Sequence, residues 1–147
     1  MGCHTWSYIP SEKSIEELKE LCLFELSKSI KLFNDPKITP YKDKDIIKAE
    51  KGIKQAIAKI KTGNMKLLCY WLKVCNRIFY EDGIFYKDCD IIDDNVFRSN
   101  KYDTNLKTEK EVLEFLNDDS VWLKADDAEQ KIKDFFKEYP QGFIRLG

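Results

Sequence analysis

The sequence predicts an α+β fold, a single domain over residues 1–147 in which four or five helices pack on a small mixed sheet of three or four strands. Apolar residues recur every three or four positions in several segments, which is typical of amphipathic helices. Short runs of β-branched and aromatic residues stand near both ends, at 3–9 and 142–146. These runs predict that the sheet includes both chain termini.

The first half of the chain is predicted to be mostly helical. Ser14 and Glu17 have the spacing of a capping box, so a first helix is expected to begin there and to end before Pro36. A second helix is expected over about 43–61, with the Thr62-Gly63-Asn64 segment as the break that follows it.

The segment RIFYEDGIFYKD, residues 77–88, repeats Ile-Phe-Tyr and has two interpretations. Helical spacing from Met65 to Phe79 favours a helix, with Gly83 just past its end and a strand that begins at Ile84. The alternative is a β-hairpin that turns at Asp82-Gly83. The length of the helical pattern favours the helix followed by a strand, and the hairpin stays open.

The second half is predicted to alternate between strands, loops and helices. Residues 88–105 predict a strand followed by a long loop. Thr108 and Glu111 form a second capping-box pattern that opens a short helix. A last helix is expected after Asp126 or Asp127 and is ended by Pro140, before the terminal strand.

Composition excludes several classes of function. The formal net charge is −1, and 22 lysines are spread along the chain against three arginines, so no extended nucleic-acid surface is predicted. No apolar stretch reaches the roughly 18 residues that span a bilayer, and no membrane partner is expected. Five cysteines without a CxxC pair and no secretory signal predict reduced thiols in a cytoplasmic protein. No zinc set and no glycine-rich phosphate loop occurs, and no cofactor is predicted.

Pairing of the terminal strands would bring together side chains that are rare in this chain. The only histidine, His4, would lie near Trp6 and Arg145, and we expect these residues and Arg98 to line one ligand pocket. Aromatic rings and the planar donor fork of arginine suit a ligand that bears a phosphate or a nucleobase. The alternative is structural: the histidine is satisfied by the backbone and each arginine pairs with an acid.

The same pairing is expected to bury Trp6 and Phe143 against the helices. Cys3 and His4 do not form a catalytic pair in this arrangement, because neighbouring side chains on a strand point to opposite faces. No catalytic residue is predicted from the terminal strands.

An acidic segment supports an alternative function. Asp88 and Asp90 would share one face of a strand, with Asp93 or Asp94 close behind, and such carboxylates can hold Mg²⁺ in a phosphodiester hydrolase. The other interpretation is an acidic loop that faces solvent. No metal ligand is assigned.

Three stretches carry a resemblance to a known family: MGCHTW at 1–6, DDNVFRSNKY at 93–102 and YPQGFIRLG at 139–147. They are similar to motifs of a group of small uncharacterised proteins from phages and bacteria, and they cover about a fifth of the chain. A histidine-aspartate pair precedes the Phe-Arg step in that group, whereas this chain has Asp93-Asp94-Asn95-Val96 before Phe97. The resemblance implies a phage-type accessory protein that acts against the host.

Together these observations predict a binding protein rather than an enzyme. It would be a phage-type host-defence antagonist that sequesters a nucleotide-like small molecule or blocks a host protein, in the host cytoplasm if it is phage-encoded. The alternative is the metal-dependent phosphodiester hydrolase with the Asp88–Asp94 carboxylates. The sequence does not indicate an oligomeric state.

Overall fold

The structure is a computed structural model that describes residues 3–147. Met1 and Gly2, the first residues of the MGCHTW motif, lie outside the described residues. Within residues 3–147 the chain forms five helices and seven strands, so the predicted α+β class is confirmed. In chain order they are β1 (Thr5–Pro10), α1 (Ile15–Phe33), α2 (Lys44–Lys61), α3 (Met65–Asn76), β2 (Ile78–Glu81), β3 (Ile84–Asp88), β4 (Phe97–Ser99), β5 (Thr104–Leu106), α4 (Glu109–Phe115), β6 (Val121–Lys124), α5 (Ala128–Glu138) and β7 (Phe143–Leu146).

The chain divides into two compact units. One contains the described residues up to Ser11 together with Glu81–Gly147, and the other is Glu12–Tyr80. Each unit is described by itself below. The prediction of a single domain over 1–147 stays a prediction.

The unit Glu12–Tyr80 contains three helices that contact one another in every pair. The Ser14 hydroxyl accepts a hydrogen bond from the Glu17 N–H while the Glu17 carboxylate accepts from the Ser14 N–H, so the predicted capping box is confirmed. Asp43 and Asn64 are the N-cap residues of α2 and α3. The side chain of each accepts one hydrogen bond from a backbone N–H in the first turn. The buried helix residues follow the predicted spacing: Leu18, Cys22, Leu26, Ala56, Ile60, Leu68 and Leu72.

Residues 77–88 form the hairpin rather than a helix end. The helix α3 ends at Asn76, and Arg77, with φ 54°, is the left-handed residue that Gly83 was expected to be. Asp82 and Gly83 both have positive φ, 51° and 84°, as in the type I′ turns that match the twist of paired strands. The helical spacing through Phe79 was misleading because a two-residue turn competes with it and joins β2 to β3 directly.

The main sheet has five strands in the order β2-β3-β1-β7-β5. Strand β1 lies at its centre, antiparallel to β3 on one side and to β7 on the other, and β5 pairs with β7 antiparallel as well. The predicted pairing of the two terminal strands is therefore confirmed, in an antiparallel sheet where a mixed one was expected. Strands β4 and β6 form a separate antiparallel pair.

The two faces of β1 differ in what they bury. Thr5, Ser7 and Ile9 are buried, and Ile9 belongs to the apolar core that α4, α5 and the β7 residues Ile144 and Leu146 complete. On the opposite face Phe143 is buried and stacks on Tyr8 at 5.1 Å between ring centroids. Its burial was predicted, but its ring contacts are with strand residues, whereas α4 and α5 pack on the Ile9 face. Trp6 was predicted to be buried but is only half-buried.

Two glycine-to-alanine substitutions are expected to change stability in opposite directions. Gly83→Ala forces an L-residue to adopt φ +84° and should lower the free energy of unfolding by about 1 kcal/mol. Gly52→Ala lies within helix α2, where a Cβ meets nothing within 4 Å, and should raise it by about 0.5–1 kcal/mol. Urea denaturation measures both, and changes of the same sign would contradict the hairpin assignment.

Candidate functional site

Strand β1 is tied to the segment 89–98 by its buried hydroxyl groups. The Thr5 hydroxyl donates to the Phe97 carbonyl at 2.6 Å. The Ser7 hydroxyl accepts from the Ile92 N–H at 2.9 Å, and the Cys89 N–H donates to the Ser7 carbonyl at 3.1 Å. Both hydroxyl groups lie at core-facing positions of β1 and hydrogen-bond backbone groups of this segment, the Phe97 carbonyl and the Ile92 N–H.

This attachment places Asp94 beside His4. One Asp94 oxygen accepts from the Thr5 N–H at 2.7 Å, and the other lies 2.8 Å from Nδ1 of His4. Burial alone would raise the pKa of Asp94, but the hydrogen bonds from His4 and Thr5, with the charge of Arg98, hold it below its ordinary value. The carboxylate is therefore an acceptor only, so Nδ1 of His4 carries the proton. None of the described residues hydrogen-bonds Nε2.

Arg98 is held in a fixed position next to this pair. Its Nε and Nη2 both donate to the Cys3 carbonyl, at 3.2 and 3.1 Å, and Nε lies 3.8 Å from an Asp94 oxygen. Its guanidinium stacks on the Trp122 ring at 4.9 Å from the centroid. Only 22% of the Arg98 side chain is exposed. These contacts indicate that Arg98 positions the chain at Cys3 and Asp94.

Trp6 and Arg145 lie on the same sheet face as His4. The rings of His4 and Trp6 are 5.8 Å apart, and Trp6 is the register partner of Arg145 on strand β7. Arg145 donates to Asn105 at 3.0 Å and to the Asp103 carboxylate at 3.3 Å. The Asp103 side chain is 77% exposed and the Arg145 side chain 21%, so only the Asp103 side of this ion pair faces solvent.

We call His4, Trp6, Asp94, Arg98 and Arg145 the His4 site. The structure brings the first four into a chain of contacts and places Arg145 opposite Trp6. Both arginines also have an acidic partner, as the structural alternative proposed. That the four predicted residues line one ligand pocket stays a prediction.

Three contacts in and around the His4 site were not predicted from the sequence: those of Asp94 with His4, and those of Arg98 with Trp122 and with the Cys3 carbonyl. Asp94 was assigned to a metal site or a solvent loop, and neither Trp122 nor the Cys3 carbonyl was connected with Arg98. No local sequence pattern connects Asp94 with His4, because the two residues lie 90 positions apart and His4 precedes strand β1.

The carboxylates of the alternative hydrolase site serve local turns. An Asp88 oxygen accepts from the Asp90 N–H at 3.2 Å, and an Asp93 oxygen accepts from the Asn95 N–H at 2.9 Å. Within residues 3–147, no group of three or more His, Cys, Asp or Glu side chains is placed to hold a metal ion. No observation here favours the metal-dependent hydrolase.

The helix cysteines are not activated thiols. Burial raises the pKa of Cys22 to about 11 and also raises the pKa of Cys69 and Cys75. The Cys3 thiol donates to the Asn100 carbonyl, whereas Nδ1 of His4 pairs with Asp94. These positions agree with the expectation that Cys3 and His4 point apart.

No family model, no curated protein and no solved structure matches this chain. The resemblance to the phage and bacterial group therefore stays a prediction. Among the helices of the part that the structure describes, none combines the length and apolar character that a membrane crossing requires.

Replacement of Ser7 tests the attachment of segment 89–98 to β1. Ser7→Ala removes the acceptor of the buried Ile92 N–H and should lower the free energy of unfolding by about 1–3 kcal/mol. Ser29→Ala is the matched control, because the Ser29 hydroxyl only donates to the Glu25 carbonyl within helix α1. Equal effects of the two substitutions in urea denaturation would contradict the assigned role of Ser7.

Replacement of Asp94 should produce a pH-dependent loss of stability. Asp94→Asn keeps the shape but removes the charge that His4 and Arg98 contact, which should cost about 1–2 kcal/mol at pH 7. Because the pKa of Asp94 is lowered in the folded chain, its stabilisation is full above the unfolded pKa of 3.8 and is lost as pH falls through the lower folded value.

Urea denaturation at pH 7 and at a pH below 3.8 should therefore show that the difference between wild type and Asp94→Asn narrows in acid. Asp126→Asn makes the same charge change at an exposed residue and should have little effect at either pH. A difference for Asp94→Asn that does not change with pH would contradict the charge-assisted contacts.

Proposed function

We propose that the chain is a non-enzymatic binding protein whose His4 site takes a nucleotide-like ligand, a flat aromatic ring joined to a phosphate group. The observation that carries the proposal is that Trp6, the His4 imidazole and Arg145 share one face of strands β1 and β7. An aromatic ring gives a base a surface on which to stack, and imidazole and guanidinium groups donate to phosphate oxygens.

The two arginines have different parts in this proposal. Arg98 donates to the Cys3 carbonyl and stacks on the Trp122 ring, so its part in the proposal is to position the chain at Cys3 and Asp94. Arg145 is about as little exposed as Arg98, at 21%, but the Asp103 carboxylate that it contacts is 77% exposed. In this proposal a ligand phosphate replaces the Asp103 carboxylate on Arg145.

His4 supplies a donor from a fixed direction. Asp94 holds Nδ1, so the ring is oriented before a ligand arrives, and little conformational freedom is lost on binding. Slightly more than half of the His4 side chain, 53%, is exposed. Because Nδ1 carries the proton of the neutral ring, Nε2 donates to an anionic oxygen only from the doubly protonated ring.

The biological part of the proposal follows from the resemblance. A phage-type accessory protein that removes a nucleotide-like signal from the host cytoplasm would act as a host-defence antagonist without catalysis. The host-protein-blocking form needs an exposed apolar surface instead of the His4 site.

The proposal is tested with AMP, adenosine and inorganic phosphate as probes, measured by calorimetry. AMP should bind more tightly than either of the other two, because it alone reaches both the aromatic ring and the cationic groups. Trp6→Ala and His4→Ala should each weaken AMP binding about tenfold or more, equivalent to about 1.4 kcal/mol. Asp103→Asn should strengthen it, since the competing carboxylate on Arg145 is removed.

Asp103→Asn is suitable because asparagine tolerates the φ of 54° at this position. Lys133→Ala, which removes an exposed cation from helix α5, is the matched control and should leave AMP binding unchanged. Equal binding of AMP to wild type and His4→Ala, or weaker binding to Asp103→Asn, would remove the ligand proposal.

A further inference from the structure

Helices α2 and α3 form an apolar groove of about 390 Å³ that lies wholly within the unit Glu12–Tyr80. We call it the α2–α3 groove. Its apolar lining comes mainly from Ala49, Gly52, Ile53, Leu67, Tyr70 and Trp71. Ala49, Gly52 and Tyr70 are exposed, and the Tyr70 residue is 56% accessible to solvent.

We infer that the α2–α3 groove binds an acidic amphipathic helix of a partner protein. The inference does not rest on the His4 site. It follows from the shape of the groove, from the charge around it and from a glycine that the chain itself does not require.

The charge around the groove is strongly positive. The segment 44–76 contains eight lysines and two acids, in a chain whose formal net charge is −1. Of the two acids, Glu50 is paired with Lys42 at 3.0 Å and with Lys54 at 3.5 Å. The segment therefore has a large cationic excess that no acid within it balances.

Several of these lysines border the groove on both helices. Lys59 is part of the lining, and Lys48 lies four residues before Gly52 on α2. On α3, Lys66 and Lys73 lie four residues before and three residues after Tyr70. Positions three, four or seven residues apart share one side of a helix, so the cations flank the apolar floor. Complementary charge selects a partner whose apolar stripe is bordered by Asp and Glu.

Gly52 is an independent observation that favours an external occupant. A glycine within a helix costs about 1 kcal/mol relative to alanine. A Cβ added at Gly52 would meet nothing within 4 Å, so no packing within this chain requires a glycine. Close approach of a partner backbone to α2 would explain why position 52 is a glycine.

The groove fits a helix better than the other occupants considered. A small molecule would need several polar groups that converge on it, whereas the lining is mostly apolar. Its polar atoms come from Gln55 and Lys59, with the Tyr70 hydroxyl and the Trp71 indole N–H at the edges of aromatic rings. A second copy of this chain would bring a second set of lysines to the same surface. Grooves between helices commonly take the apolar side of a third helix, through residues spaced three, four and seven apart.

The test uses a synthetic helical peptide of about 16 residues, close to the length of α2. Leucines at positions i, i+3, i+4 and i+7 form its apolar stripe, and glutamates border the stripe. A second peptide has the same stripe with lysines in place of the glutamates. Fluorescence anisotropy of the labelled peptides measures binding to the full chain.

We expect the acidic peptide to bind with a Kd of about 1–100 μM and the lysine peptide at least tenfold more weakly. Added salt should weaken the binding of the acidic peptide, because the flanking charges are exposed. Lys59→Glu should weaken this binding about tenfold. Lys110→Glu, the same change on helix α4 of the other unit, should leave the binding unchanged.

Two substitutions of Gly52 separate occupancy of the groove from helix stability. Gly52→Ala and Gly52→Leu both place a better helix former in α2 and should both keep the chain folded. Only leucine extends into the space above the helix. Gly52→Leu should therefore weaken the binding of the acidic peptide at least tenfold, and it should weaken this binding more than Gly52→Ala does.

Four results would overturn the inference. They are equal binding of the two peptides, no binding up to about 1 mM, an unchanged affinity in Gly52→Leu, and a dimer in sedimentation that Gly52→Leu dissociates. The last result would assign the groove to a second copy of this chain. None of them depends on whether AMP binds at the His4 site.

Discussion

The hydrogen bonds between strand β1 and the segment 89–98 are the constraint on which the His4 site depends. β1 is the central strand of the sheet, and near its start one edge pairs with β7. The other edge carries no strand there, since β3 pairs only from Tyr8 onward. The irregular segment 89–98 covers that edge, and Thr5 and Ser7 satisfy its backbone. Without this attachment Asp94 would not lie beside His4.

The local signals in the sequence were sufficient for the starts of helices α1 and α2. The capping box of Ser14 and Glu17 and the Asp43 cap involve residues three apart, and such interactions depend little on the rest of the fold. The second box was only half right. Thr108 caps α4 as predicted, but the Glu111 carboxylate accepts from the Lys107 N–H rather than from the N–H of Thr108. The Glu111 carboxylate can accept from any of several neighbouring backbone N–H groups, and the sequence spacing does not determine which one it takes.

The site could be predicted only in part, because its contacts span long distances in the sequence. That His4, Trp6 and Arg145 share a face follows from strand alternation once the terminal strands are paired. The contact between His4 and Asp94 joins residues 90 positions apart, and it depends on the path of an irregular segment that no periodic pattern describes. The favoured interpretation of residues 77–88, a helix followed by a strand, was wrong for a local reason. A helical spacing continued by chance into residues that a tight turn brings into the sheet.

The use of arginine and lysine in this chain follows the geometry that each contact requires. Arg98 directs two nitrogens at one carbonyl oxygen and stacks its plane on Trp122, and a lysine ammonium can do neither in that geometry. Arg145 likewise reaches Asn105 and Asp103 with two different nitrogens. Of the lysines around the α2–α3 groove, Lys48, Lys59 and Lys66 are exposed on flexible stems and supply charge without fixed direction, whereas the Lys73 ammonium lies over the Phe79 ring. Fixed donors suit a small ligand that must be oriented, whereas mobile cations suit a helix whose acids meet them in more than one arrangement.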